Sequence, residues 1–433
     1  MSSVIPRRGF LRAALMAGAA PVFVPSRALG RGGWTAPSNR VTIGCVGAGD
    51  HFIGRNFALM RGIRDIQLVS VCDVDATRQQ DALLKMEEVY GKGSIRADGD
   101  FRNIISMDNT DAIMVSTTDH WHVLVSILAA QAGKDVICEK PLTYNIADGR
   151  KLVDVIRKTG RVFQTSSENR TAPEYRHMCE IVRSGRLGKI RRVTAGLPGG
   201  NWWSGANRDP IVYGAPPPTL NYDMWLGPAP EKPYTPARTH FVFRWVSDYS
   251  GGMLADWGAH LFDIAQWALN REYSGPVKVE GVGWKPMHEL YDTYLGYCVR
   301  FEYADGLEMV VDANQPSLRF EGDDGWVESI GWRSPLQASH RKLLEPVGPG
   351  EVQLTSAPTD GEHVSFVNAV KTRASAYAPA EKGHRSITLA HLANIAIACG
   401  RPLRWNPDTE RFVDAPDADK MLSREKRAKW NLA

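Results

Sequence analysis

Cysteine is scarce in this chain, 6 residues in 433, and no two fall into a Cys-x-x-Cys pair or a Cys/His spacing of the kind that holds zinc. Cys45, Cys72 and Cys138 lie inside apolar, strand-like runs and read as buried free thiols. Neither a disulfide framework nor a metal site is expected. Long apolar runs are missing too. The uncharged stretch Ala13 to Val24 gives about a dozen residues against the roughly 20 that span a bilayer, which argues against a permanent membrane anchor. There is no repeat, no low-complexity segment and no lysine/arginine cluster in the body of the chain. The formal net charge of +4 resides in Arg7, Arg8, Arg12 and Arg27, because residues 1–28 contain no acidic residue. The neutral remainder offers no electrostatic footprint for nucleic acid or anionic lipid.

Those first residues carry their own pattern. Arg7-Arg8-Gly9-Phe10-Leu11-Arg12 precedes the uncharged run, and Ser26-Arg27-Ala28 supplies a small-x-small cleavage site. The pattern resembles a twin-arginine export signal, with Pro6 where Ser or Thr is usual. Residues 1–28 are therefore expected to be a signal peptide read by the twin-arginine export machinery, and the protein to be periplasmic or otherwise exported. The bland alternative is an unstructured basic N-terminus.

The rest is too long for one ordinary core and suggests two domains. In the first half, Val41–Val46 reads as a buried parallel strand, followed at once by Gly47-Ala48-Gly49 and a helical pattern over about 51–60. The first glycine permits a tight turn. The second lets a phosphate approach the N–H groups of a helix N-terminus, where the dipole favours anions. Gly47, Ala48 and Gly49 are thus candidate pyrophosphate ligands. A plain strand-to-helix turn also fits, since Phe52 stands where a third glycine is usual, Gly54 comes two residues late, and Asp50 adds a negative charge unless it caps the helix. The next strand, Gln67–Cys72, ends at Asp73, where a carboxylate would meet the adenosine ribose hydroxyls and repel a 2′-phosphate. NAD is favoured over NADP, with Arg78 near enough in sequence to serve a phosphate. Strands at Asp111–Ser116 and Asp135–Cys138, with a helix over 123–132 between them, continue a doubly wound parallel α/β sheet. Ser116, Thr117 and His122 follow one strand end and Glu139-Lys140-Pro141 the next, at the carboxyl edge where such sheets bind ligands.

Four stretches carry a family resemblance: Glu139-Lys140-Pro141; Thr117 to His122, with Thr118 where a proline is usual; Gly251-Gly252-x-x-x-Asp256-x-x-x-His260; and Trp225-Leu-Gly-Pro-Ala-Pro230. Over roughly residues 40 to 420 the chain resembles the Gfo/Idh/MocA oxidoreductases. The resemblance implies an N-terminal Rossmann domain at 38–165 that binds NAD(P). It implies a C-terminal α+β substrate domain at 166–400, whose mostly antiparallel sheet commonly mediates association through its open face, so a homo-oligomer is expected. Residues 401–433 form a C-terminal tail.

On the residues alone, Lys140 is held extended by the proline after it, which fits a solvated loop or a side chain projected into a cleft. Asp256, His260 and Asp263 would share one helix face, which fits a helix N-cap with a histidine packed on Trp257 or Trp267, or a carboxylate orienting an imidazole. The resemblance assigns Lys140, Asp256 and His260 to catalysis, with His260 as general base, Asp256 as its partner or a substrate ligand, and Lys140 polarising the substrate oxygen. Glu139 is expected to position, and His122 either to reach the cofactor or to cap and pack. Trp202, Trp203, His240, Arg244 and Trp245 lie in an irregular aromatic stretch that suits a sugar-binding wall or a subunit interface equally.

In the second half, strands are expected at Ile190–Ala195, Val277–Gly283, Tyr294–Glu302 and Leu307–Asn314, and helices at Glu362–Thr372 and Ile387–Ala398. The leading expectation is an exported oxidoreductase that passes hydride between a hydroxyl of a sugar, sugar derivative or polyol and a tightly held NAD, with NADP the alternative. A redox-neutral, NAD-dependent glycosidase and a non-catalytic sugar sensor are the competing readings.

Overall fold

Val41, Ile43, Cys45 and Val46 are all buried, as a strand covered on both faces requires. In the computed structural model, which describes residues 35–199, 211–348, 350–352, 354 and 361–431, they form β1 (Val41–Val46) at the centre of a six-stranded parallel sheet. Its other strands are β2 (Ile66–Cys72), β3 (Arg96–Asp98), β4 (Ala112–Val115), β5 (Asp135–Cys138) and β6 (Phe163–Thr165), in the order β3-β2-β1-β4-β5-β6. The order reverses between β1 and β4, so a crevice opens at their carboxyl ends, directly above Gly47. Residues 1–28, expected to be a signal peptide, and Trp202 and Trp203 lie outside the described residues. The described part of residues 1–40 holds one short 3-10 helix, Pro37–Asn39.

A second, nine-stranded sheet follows. It comprises β7 (Ile190–Leu197), β8 (Lys278–Trp284), β9 (Gly296–Glu302), β10 (Glu308–Ala313), β11 (Ser317–Gly322), β12 (Gly325–Ile330), β13 (Leu336–Ala338), β14 (Leu403–Asn406) and β15 (Arg411–Val413). The order is β13-β12-β11-β7-β10-β9-β8-β14-β15; β7 and β10 run parallel and every other pair is antiparallel. One face is covered by the helices Gly258–Ala268 and Ala380–Cys399. On the other, the alternation along β8 leaves Val282 and Trp284 exposed.

Several elements differ from the sequence expectation. The helix after β4 begins at Asp119, ahead of the expected 123, so Asp119–His122 of the motif form its first turn and Thr118 its N-cap. The helix after the glycine turn starts at Asp50 and passes into a π-helical stretch, Phe52–Phe57, before the short α-helical turn Ala58–Met60. Phe52 is fully buried there, and the wider turn makes room for a ring where a glycine would let the helix lie close. The helix expected at 387–398 starts at Ala380. Residues 401–433, set apart as a tail, supply β14 and β15. Glu362–Thr372 crosses back to the first sheet, where Phe366, Val367 and Ala369 share a core with Val41 and Ile43.

The C-terminal domain is pinned by a buried ion cluster. The Arg170 guanidinium has no exposed surface and donates to Asp263 through Nε and Nη2, both at 2.7 Å, and to Glu272 at 2.6 Å; Lys382 reaches Glu272 at 3.0 Å. Removing one partner leaves uncompensated buried charge. Arg170→Leu is expected to lower the unfolding free energy by about 3–5 kcal/mol in urea titrations.

Candidate active site

The glycine turn is built by close approach. Gly47 has φ +93°, and a Cβ there would stand 2.4 Å from the Ser116 carbonyl oxygen, so the turns after β1 and β4 can touch only if this residue is glycine. Gly49 is different, because a Cβ there would meet only Arg78, at 3.7 Å. The protein itself does not fill that position. Beyond it lies a cavity of about 440 Å³, bordered by Gly47, Gly49, Asp73, Ser116 and Thr117 and walled by Phe101, Trp121, Trp225 and Phe243. A dinucleotide fits here: an open backbone approach at Gly49, N–H groups of a helix start, and mainly apolar walls.

Asp73 lines the cavity, but its carboxylate is occupied. Oδ2 accepts from the Ala48 N–H at 2.7 Å and Oδ1 from the Asp75 N–H at 2.9 Å, so it ties the end of β2 to the glycine turn. Burial raises its pKa against those two hydrogen bonds. Arg78 pairs with Asp50 at 3.1 Å, which answers how Asp50 is tolerated beside a phosphate site. Ala48 is buried and contributes its N–H to Asp73 rather than to the cavity wall.

Lys140 leaves the end of β5 through a cis peptide to Pro141. Its Nζ donates to Asp256 Oδ1 at 2.9 Å and to the Asp256 carbonyl oxygen at 3.3 Å. Asp256 closes the short helix Gly252–Asp256, and Arg244 Nε lies 3.5 Å from the same carboxylate oxygen. Burial pushes the Asp256 carboxyl up, but Lys140 and Arg244 outweigh it and hold the group well below the usual carboxylate range. The chain then turns at Trp257 and restarts as the helix Gly258–Ala268. His260 stands in its first turn, ringed by Trp257 and Trp332, with Nδ1 buried and without a hydrogen-bond partner. Burial, then the Lys140 ammonium, push the imidazole well below its ordinary pKa, against Asp256 and Glu139. The ring is held neutral, as a base must be.

This geometry corrects several expectations. Asp256 and His260 belong to two helices separated at Trp257, and the carboxylate faces Lys140 and Arg244 instead of orienting the imidazole. Asp263 points into the Arg170 cluster. His122, expected either to reach the cofactor or to cap and pack, takes the second role: it is buried with Nδ1 2.8 Å from the Pro141 carbonyl and Nε2 3.1 Å from that of Thr117, and it laces two loops together. Glu139 and Lys140 stand beside the cavity rather than in its wall. His240 lines the cavity, as does Arg78, with its Nε2 3.4 Å from Asp75. Trp245 is buried in a core with Trp225 and Tyr249, so it forms no wall. Arg244 joins the two regions, because it lines the cavity and touches Asp256.

A charged cluster unread in the sequence backs the site. Glu139 Oε1 accepts from Asn56 at 2.9 Å, with His51 Nε2 at 3.1 Å and Arg55 at 3.7 Å. Burial raises this carboxyl, but His51 and Arg55 hold it far below the usual range. Arg55 also pairs with Glu168 at 2.6 Å and Glu362 at 2.5 Å. Burial outweighs Arg55 at Glu362, which is pushed up to about 7. Arg333 reaches Glu168 at 3.2 Å, and Glu168 lies 3.9 Å from His260 Nε2.

The C-terminal segment straps this region. Arg427 donates to Gly227 O at 2.7 Å and to Asp223 Oδ1 at 2.6 Å, and Lys429 also pairs with Asp223. Trp430 packs edge-on against Trp121, with ring centroids 5.0 Å apart. Gly227 makes this possible, because a Cβ there would stand 2.3 Å from the Trp121 ring. Among the described residues no His/Cys/Asp/Glu group is arranged to hold a metal, and no helix is long and apolar enough to cross a membrane.

Family models bring the two halves under one class. Residues 41–167 match the model described as an oxidoreductase family NAD-binding Rossmann fold, and residues 172–432 match the C-terminal alpha/beta domain of the same oxidoreductases. The chain belongs to the Gfo/Idh/MocA oxidoreductase family. It is 28% identical to myo-inositol 2-dehydrogenase of Thermotoga maritima over 49% of this chain and 50% of that protein. It is 30% identical to D-glucoside 3-dehydrogenase of Escherichia coli over 31% of this chain and 38% of that one. The chain thus spans half or less of the length of these curated relatives. Among solved structures, the WlbA dehydrogenase of Chromobacterium violaceum, in complex with NADH and UDP-GlcNAcA, superposes with a TM-score of 0.64 at 17% identity, covering 86% of this chain and 98% of that one. The aldose-aldose oxidoreductase of Caulobacter crescentus gives 0.60 at 17% identity over 84% and 99%. At such identities these structures share the fold.

Proposed function

We propose that this protein is an exported oxidoreductase that oxidises a hydroxyl of a sugar, sugar derivative or polyol with a nicotinamide it retains between turnovers. The observation that carries the reading is a neutral, buried His260 set beside a Lys140–Asp256 pair, which Arg244 links to the cavity bordered by Gly47 and Gly49. A nicotinamide, when bound, supplies the hydride acceptor. Lys140 donates a hydrogen bond to the substrate oxygen, and His260 takes its proton as the CH–OH becomes C=O. Asp256 holds Lys140 on station, and Arg244 borders both cofactor and substrate. The relatives' names, inositol and glucoside dehydrogenases, support the substrate class.

Two features favour NAD over NADP. A carboxylate closes the end of β2, and Arg78 is already paired with Asp50. Export rests on Arg7 and Arg8, and retention follows from it, because a cofactor carried out of the cytoplasm has no soluble pool to exchange with. Association as a homo-oligomer is supported by Val282 and Trp284, exposed on the open sheet face. Mass spectrometry of denatured purified protein tests retention: co-purifying NAD is expected, and its absence would sink that part of the reading.

The C-terminal strap supports retention as well, since it presses on Trp121 and on the 222–228 segment, which both wall the cavity. Replacing Arg427 and Trp430 together by alanine removes contacts worth about 1 kcal/mol or more. Cofactor loss during dialysis is expected to accelerate on the order of tenfold.

A further inference from the structure

A second cavity, of about 380 Å³, falls within the roughly 300–1,000 Å³ of small-molecule sites. It shares no lining residue with the cavity above Gly47, and Lys140, Asp256 and His260 do not border it. Three cations line it, Lys285, Lys420 and Arg424, and among the described residues none of them has a carboxylate at ion-pair distance. The next basic residues of the same C-terminal segment are all paired, Lys426 with Asp148, and Arg427 and Lys429 with Asp223. Asp292 is the one carboxylate among the described residues of the lining, and it is occupied: Oδ1 accepts from the Ser247 N–H at 2.6 Å and Oδ2 from the Ser247 hydroxyl. Two of the cations are steadied without being neutralised. Arg424 donates to the Ser247 carbonyl and its guanidinium stands over the Tyr144 ring at 5.2 Å, while Lys285 stands over the Tyr294 ring at 5.0 Å.

The buried side of the cavity supplies hydrogen-bond acceptors. His391 Nε2 lies 3.1 Å from the Thr143 carbonyl oxygen, which can only accept, so Nε2 carries the ring proton. Burial, then the Arg424 guanidinium, push this imidazole down to about 3, and the neutral ring keeps a lone pair on Nδ1. Asn394 donates from Nδ2 to the Gly251 carbonyl at 3.0 Å, which leaves Oδ1 to accept. Tyr144 lines the cavity at 3% exposure, and its hydroxyl bonds no described residue. A ligand hydroxyl supplies the partner these groups lack.

We propose that this cavity is a second binding site, for a small hydroxylated anion, a sugar acid or sugar phosphate: its carboxylate or phosphate sits among Lys285, Lys420 and Arg424, and its hydroxyls bond His391, Asn394 and Tyr144. A bare inorganic anion leaves the acceptors unused, and a neutral sugar leaves the cations unpaired. Binding there is independent of the oxidoreductase chemistry.

The test is calorimetric titration of the purified protein with glucuronate, glucose 6-phosphate, glucose and inorganic phosphate. Saturable binding of glucuronate or glucose 6-phosphate is expected, and the tighter of the two tells carboxylate from phosphate. The double variant Lys285→Ala, Lys420→Ala, which changes two exposed side chains, is expected to weaken that binding about tenfold. Tyr144→Phe keeps the ring under Arg424 and is expected to weaken the anionic sugars a few-fold, with inorganic phosphate unaffected. Lys140→Met is expected to leave the affinity unchanged. The proposal is overturned if neither anionic sugar binds saturably, if the double variant binds them as the wild type does, or if Lys140→Met abolishes the binding, which would place it at the catalytic site. Inorganic phosphate bound as tightly as glucose 6-phosphate would overturn the role of the acceptors. Whether any sugar reduces the nicotinamide has no bearing on these results, so failure of the oxidoreductase reading shows separately.

Discussion

Replacing His260 by alanine is expected to slow hydride transfer by roughly 10²- to 10⁴-fold while the nicotinamide stays bound. The ring touches the reacting oxygen in the proposed complex but does not line the cofactor cavity. Bound-cofactor content should therefore match the wild type, and single-turnover reduction should not. A pH profile adds an independent check. Burial and the Lys140 ammonium push the His260 pKa well below 6.5, so the imidazole remains an unprotonated base in mildly acidic solution. The acid limb of kcat/KM in the wild type is expected well below pH 6.5, with nearly full rate retained at about pH 6. A limb at or above the ordinary histidine value would mean that the ring is solvated during catalysis. Lys140→Met should lower the rate too, with a different signature, because it also removes the shorter ion pair of the buried Asp256 carboxylate and leaves it facing Arg244 at 3.5 Å.

The second large effect is expected at Gly47→Ala. The substitution forces a Cβ onto a residue with φ +93° and to within 2.4 Å of the Ser116 carbonyl oxygen and 2.8 Å of the Thr117 nitrogen. Both obstacles are backbone, so no side chain can swing aside. The turns after β1 and β4 must separate, and the Ala48 N–H is pulled off Asp73. The variant is expected to purify without cofactor and to unfold at a markedly lower temperature than the wild type. Gly49→Ala is the informative control. Its Cβ meets only the end of the Arg78 side chain at 3.7 Å, so the fold should survive while nucleotide binding weakens. If Gly49→Ala bound cofactor as well as the wild type, the phosphates would lie elsewhere.

Much of the first domain was legible because its strands are continuous apolar runs: Val41–Val46 and Asp135–Cys138 stand where the sequence places them. β3 and β6 were not, since three-residue strands carry no periodicity. β11 and β12 were missed although Leu318-Arg319-Phe320-Glu321 alternates as a half-buried strand does, whereas β13 to β15, three or four residues each, are too short to show a period. At the site, Lys140, Asp256 and His260 were legible as motif residues, and the structure brings them together. Their partners were not. Glu168, Arg55 and Arg333 come from three distant segments, and no spacing rule links a turn after β6 to a hairpin edge about 165 residues later. The helix break at Trp257 was equally hidden, because Asp256-x-x-x-His260 has the spacing of a single helix face.

The most direct measurement mixes the purified protein, with no cofactor added, against single sugars and polyols, and follows the near-ultraviolet absorbance of reduced nicotinamide in one turnover. The account predicts a rise in the wild type with a suitable substrate, its decay when an oxidised sugar is supplied, and the loss of both phases in His260→Ala despite equal cofactor content. Absorbance that stays flat across the panel, with an aryl glycoside cleaved, would assign the same residues to a redox-neutral glycosidase. A rise that persists in His260→Ala at the wild-type rate would contradict the central claim.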